Sequence, residues 1–134
     1  MGLQTASFTR TYDETLNMIV EARNYMNYIQ PTGQKAEAAR GDLRFSCEAL
    51  RVTSRLTQVM AWLMLQRAVQ DGEITQQDAL TEENRLAGQD VCLDNDSVAD
   101  GALPTGLRDL LERSFRLYQR VSRLEEMVIG RCLN

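Results

Sequence analysis

The chain has 134 residues, 43% of them apolar and 25% charged, with a net charge of −4 and a pI near 4.9. That balance excludes a wholly disordered chain and allows one hydrophobic core rather than two. It also argues against a protein whose main task is coating nucleic acid, because neutralising phosphates needs a basic surface.

Phe8, Tyr12, Leu16, Ile19, Val20 and Met26 recur at helical spacing, which predicts a first helix from about Thr9 to Ile29. Pro31 and Gly33 then turn the chain. A second helix begins either in the alanine-rich stretch around Ala36 or at Asp42 after Gly41, and ends at Gly72, the usual residue type past a helix C-terminus. Thr75 opens a short helix, with Asp78 completing an approximate capping box, and Gly88 closes it. From Gln89 to Pro104 the chain carries Asp90, Asp94, Asp96 and Asp100 without periodicity, which predicts a long, mobile acidic loop. Thr105 starts the last helix, where Leu107, Leu110, Ser114, Leu117, Val121, Leu124 and Val128 form a seam like that of a coiled coil. The expected fold is all-α: a single domain over residues 1–134, an up-down-up bundle of three helices with a short helix inserted.

The second helix presents two apolar stripes. At about 100° per residue, Phe45, Ala49, Val52, Leu56, Val59 and Leu63 lie on one side. Leu43, Cys47, Leu50, Ala61 and Leu65 lie almost opposite. A three-helix bundle covers one broad side of each helix, so the second stripe needs another cover. A second copy of the chain across a two-fold axis is the economical one; the other is the short helix and acidic loop folding back. The remaining sector carries Arg44, Arg51, Arg55, Gln58, Trp62 and Gln66. A tryptophan in line with arginines has the composition of a protein-binding hot spot; the reading weighed ahead of it is a tryptophan packed on a neighbouring helix under arginine stems.

Catalytic chemistry is sparsely supplied. The chain has no histidine, so the commonest general base and metal ligand is absent. Gly101 and Gly106 flank Pro104 without the lysine or strand of a phosphate-binding loop. Asp94 and Asp96 are spaced like the first calcium ligands, but Val98 and Ala99 stand where an oxygen ligand and a glycine are required. Glu82 and Glu83, or Glu125 and Glu126, are adjacent, and adjacent residues on a helix diverge. No enzyme activity, metal or cofactor is expected. Cys47, Cys92 and Cys132 are odd in number and widely spaced, which fits reduced thiols. With a polar N-terminal stretch and no apolar run of membrane-spanning length, the expected location is the cytoplasm. On the last helix Arg113, Arg116, Arg120 and Arg123 share one sector with Asp109 and Glu112. That sector reads first as a solvated face with helix ion pairs, then as a site for an acidic protein, and last as a nucleic-acid surface.

The run LRVTSRLTQVMAWLMLQRAVQDGEIT, Leu50 to Thr75, resembles the corresponding stretch of the alphaproteobacterial family that includes the regulator of CtrA degradation, RcdA. The matching positions are Arg51, Thr53, Arg55, Leu56, Trp62, Leu63, Gln66, Arg67, Ala68, Val69, Gly72 and Glu73. The resemblance implies a dimeric three-helix bundle. It also implies an adaptor for the ClpXP protease that works with the response regulator CpdR and, for some cargo, the cyclic-di-GMP effector PopA. The expected cargo is a transcriptional regulator such as CtrA. Arg51, Arg55, Trp62, Gln66 and Arg67 are the expected partner contacts; Leu43, Cys47, Leu50, Ala61 and Leu65 are the expected dimer interface. The family's better-known members extend beyond the last helix in a tail, whereas this sequence ends at Asn134. Docking is therefore expected on helix faces and the Gln89–Pro104 loop. The rival expectation is a nucleic-acid-associated helical regulator using the arginine strip of the last helix.

Overall fold

The computed structural model describes residues 2–29, 43–92 and 103–133. Its elements are α1 (Gly2–Ile29), α2 (Leu43–Gln70), α3 (Gln76–Ala79), a 3₁₀ turn (Glu82–Asn84), α4 (Gln89–Cys92) and α5 (Thr105–Leu133). Among the described residues every regular element is helical. The start of α2 expected at Ala36 or Asp42 lies outside the described residues, as do Asp94, Asp96 and Asp100 of the acidic stretch. At its other end that stretch is not loop but α4, and α1 begins earlier than Thr9 because periodicity marks only the part of a helix that meets the core.

The signals at Gly72 and Thr75 hold, but the short helix that Thr75 opens ends at Ala79 and not at Gly88, which stands before α4 instead. Gly72 sits at φ +77°, where a side chain would be strained. It closes α2 with paired bonds, Glu73 N donating to Ala68 O at 2.9 Å and Gly72 N to Val69 O at 3.1 Å, so the last carbonyls are satisfied. Thr75 caps α3, its hydroxyl accepting from Asp78 N at 3.1 Å.

The three long helices pack into one bundle, but α5 does not run in the alternating direction expected. Glu21 and Glu14 of α1 pair with Arg113 and Arg120 of α5, and Tyr25 lies against Gly106, so α1 and α5 are antiparallel. Arg55 of α2 is level with Leu111 and Ser114, while Trp62, two turns further on, meets Phe8, which lies toward the far end of α5. Hence α2 and α5 are parallel, and the topology is up-down-down. Parallel neighbours need a connection that returns the length of the bundle, about 1.5 Å for each helical residue crossed. Residues 71–104 provide it.

Between the short helical turns of the described part of this strap, residues 71–92, the backbone groups of Leu86 and Ala87 have no helical partners, and buried amides and carbonyls must find them elsewhere. Four side chains from the long helices supply them. Glu125 accepts from Leu86 N at 2.6 Å and Gln58 accepts from Ala87 N at 3.1 Å. Tyr118 donates to Ala87 O at 2.8 Å, and Arg55 Nε donates to Cys92 O at 2.7 Å. Leu86, Cys92 and Leu103 are drawn into the core with Val52, Val59, Leu107 and Leu117.

Candidate protein-binding face

Central position makes α2 the helix on which any site is built. On one flank lies α1, on the other the strap and α5, so more of its circumference is covered than a simple bundle would cover. The Phe45–Leu63 stripe is inside as expected, with Val52 and Val59 fully buried. The arginine–tryptophan sector is also largely inside. Arg55 is 0% exposed, Trp62 3% and Gln66 4%. These three expected partner contacts are therefore core residues, a correction whose reason is cover from two sides: Cys92 of the strap and α5 close over Arg55, and Phe8 of α1 closes over Trp62. Trp62 meets Phe8 edge-on at a ring-centroid distance of 5.8 Å, and the Arg55 guanidinium lies 5.2 Å from the Phe115 ring centre. Arg51 is half-buried and bonded to both carboxylate oxygens of Glu48, at 2.8 and 2.6 Å. Of the expected contacts, Arg67 is the exposed one, its guanidinium over the Tyr12 ring at 5.6 Å. Truncating Trp62 to alanine is expected to cost about 3–5 kcal/mol in urea unfolding; a loss below about 1 kcal/mol would place the indole at the surface instead.

The opposite stripe faces solvent. Cys47, Leu50 and Ala61 are exposed and Leu65 is half-buried, while the Leu43 side chain lies outside the described residues. Thr53, Thr57 and Met64 complete the sector, with Leu50 65% and Met64 56% exposed. From Cys47 to Leu65 this sector holds no charged residue, over a length of about 27 Å at 1.5 Å per residue. Leu16 and Val20, the exposed apolar residues of α1 at 44% and 39%, fall by helical phase on the edge of α1 that flanks α2. Contiguous exposed apolar surface of this kind marks an interaction site in a folded protein. Ala87 and Cys92 of the strap lie on the Gln58 and Arg55 side of α2, away from this sector; most of the acidic loop expected to fold back over it lies outside the described residues.

The arginine strip of α5 is largely matched within the chain. Arg113 bonds Glu21 at 2.7 Å and Asp109 at 3.1 Å, Arg120 bonds Glu14 at 2.7 Å, and Arg116 pairs with Glu112. The Arg113 bond and charge hold the Glu21 carboxyl below its ordinary pKa despite slight desolvation. A depressed carboxyl contributes stability above its unfolded pKa and loses it as the pH falls through the folded one; the exposure of this pair keeps that contribution small. Such a surface has little positive charge left for phosphates.

Cys92 is fully buried, and desolvation pushes its thiol pKa up, opposed by the nearby Arg55 charge and the Tyr118 hydroxyl. A raised pKa and no access make a thiol inert. Cys92 is expected to stay unmodified by a thiol reagent until denaturant is added; rapid labelling in native buffer would mean that the strap opens. Among the described residues no cluster of three potential metal ligands occurs, and no helix is long and apolar enough to cross a membrane. A family model described as "Protein of unknown function (DUF1465)" matches residues 2–132. No curated protein and no solved structure matches the chain.

Proposed function

We propose that this chain, which belongs to the DUF1465 family, is a non-enzymatic adaptor in regulated proteolysis that works as a two-fold homodimer, similar to the RcdA adaptor its α2 sequence resembles. The observation that carries this reading is the uncharged outer face of α2, Cys47 to Leu65, left open by every other described element. A face without charge meets a copy of itself across a two-fold axis with nothing to repel. Burying Leu50 and Met64 there contributes roughly 1.5–3 kcal/mol per large side chain.

The chemistry of such a protein is tethering. Holding cargo beside a protease raises the cargo's effective concentration and leaves bond cleavage to the protease. By the resemblance the protease is ClpXP, the co-adaptor a response regulator like CpdR, and the cargo a transcriptional regulator, all in the cytoplasm. Arg55, Trp62 and Gln66 serve indirectly, holding α2 in place from inside, while the outer face and Arg67 make contact.

The reading is tested with purified ClpXP, the response regulator and a candidate transcriptional regulator, with and without this protein. Cargo degradation is expected to accelerate on its addition. An unchanged rate, together with failure of a nuclease-treated native lysate to yield ClpX on the tagged chain, would overturn it. Recovery of nuclease-sensitive material alone would shift the assignment to the α5 arginine strip.

A further inference from the structure

We propose that the cleft between α1 and the end of α2 binds the free amino terminus of a peptide whose first residue is apolar. The cleft encloses about 380 Å³, at the small end of ligand sites and enough for one or two residues. Its floor is Phe8, 8% exposed and braced edge-on by Trp62, with Leu63, 2% exposed. Its rim carries Asp13 and Asp71 against one cation, Arg67. These three charges share a cleft, yet among the described residues neither aspartate side chain makes an ion pair or hydrogen bond, and the Arg67 guanidinium lies over the Tyr12 ring.

Two carboxylates to one guanidinium leave a net charge of −1 beside an apolar floor. A peptide's first residue is the complement, since its ammonium and its side chain branch from one carbon. The ammonium meets the aspartates, the side chain rests on Phe8 and Leu63, and the first carbonyl oxygens accept from Arg67. A C-terminal carboxylate would face both aspartates, and a lysine ammonium sits four methylenes from the backbone that Arg67 would hold. Stacking on Tyr12 fixes the guanidinium plane, so less freedom is lost when it engages a carbonyl. This proposal stands apart from the adaptor reading, because peptide binding is measured without protease or cargo.

The test is fluorescence anisotropy of the full chain with a pentapeptide that begins with leucine and is labelled at its C-terminal end, its amino terminus free or acetylated. The free peptide is expected to bind at least about tenfold more tightly than the acetylated one, the loss of a charge-assisted hydrogen bond. Binding is expected to weaken as the pH rises through about 8, where an α-ammonium deprotonates. The Asp13→Asn/Asp71→Asn double variant is expected to lose a similar factor with unchanged circular dichroism and thermal midpoint, since both residues are exposed. Equal affinity for the two peptides, no binding of either, or wild-type affinity in the folded double variant would each overturn the proposal.

Discussion

Arg55→Ala is expected to lower the unfolding free energy by about 3–5 kcal/mol, the range for truncating a large core side chain and breaking a buried hydrogen-bond network. Arg55 has the largest fully buried side chain among the described residues. Its Nε donates to Cys92 O at 2.7 Å, and one terminal nitrogen donates to Leu111 O at 2.7 Å and Ser114 Oγ at 3.2 Å. One side chain thus ties α2 to the strap and to α5. Alanine would leave a cavity and strand acceptors that water cannot reach, and both effects destabilise. Arg55→Met keeps most of the stem volume and is expected to recover part of the loss. Arg55→Lys keeps the charge but not the planar fork, and is expected to fall short of the wild type. Urea unfolding measures the stability, and hydrogen exchange locates the damage: amides of residues 85–92 are expected to exchange faster than those of the α1–α5 contact. A loss below about 1 kcal/mol would mean that the guanidinium is solvated in solution.

The second large effect concerns assembly. Ala61→Arg places a long cation in the middle of the uncharged α2 face, and in the proposed dimer two-fold symmetry would place a second one near it. Like charges brought together at the centre of a dry interface are costly, so the dimer dissociation constant is expected to rise at least about a hundredfold, some 2.7 kcal/mol. The folded monomer is expected to be indifferent, because Ala61 is exposed and arginine is nearly as good a helix former as alanine. Light scattering at tens of micromolar should then give a dimer mass for the wild type and a monomer mass for the variant, with the same helical signal. A wild type that scatters as a monomer would remove the dimer, and an unaffected variant would move the interface elsewhere.

Both expectations depend on distinguishing the two sides of α2, and only one side was readable in advance. The Phe45–Leu63 stripe was legible because apolar residues at helical spacing must be covered, whatever covers them. The Cys47–Leu65 stripe was legible as a surplus for the same reason: too many apolar faces for three helices. Trp62 packed on a neighbouring helix was one of the two readings its sector allowed, and it holds; Arg55 and Gln66 were not legible as core. An arginine in sequence looks like surface, and its burial needs acceptors, here Cys92 O and Leu111 O, that stand 37 and 56 residues away along the chain. No local pattern announces a backbone carbonyl from another element. The cleft beside Arg67 was equally invisible, since Asp13 and Asp71 meet there only through the packing of α1 on α2.

Sequence by itself determined the three long helices, the turn at Gly72 and the cap at Thr75, because those depend on side-chain periodicity and on conformations a few residues long. It also determined that α2 would be apolar on more than one face. Tertiary structure alone decided that α5 runs parallel to α2, that residues 86–92 close over Arg55 while α1 closes over Trp62, and that no described element covers the outer face of α2. The physical reason is one of range. Periodicity says which side of a helix must avoid water, whereas the choice of cover depends on where long-range backbone groups can be satisfied, and here Arg55, Gln58, Tyr118 and Glu125 satisfy them on the strap side.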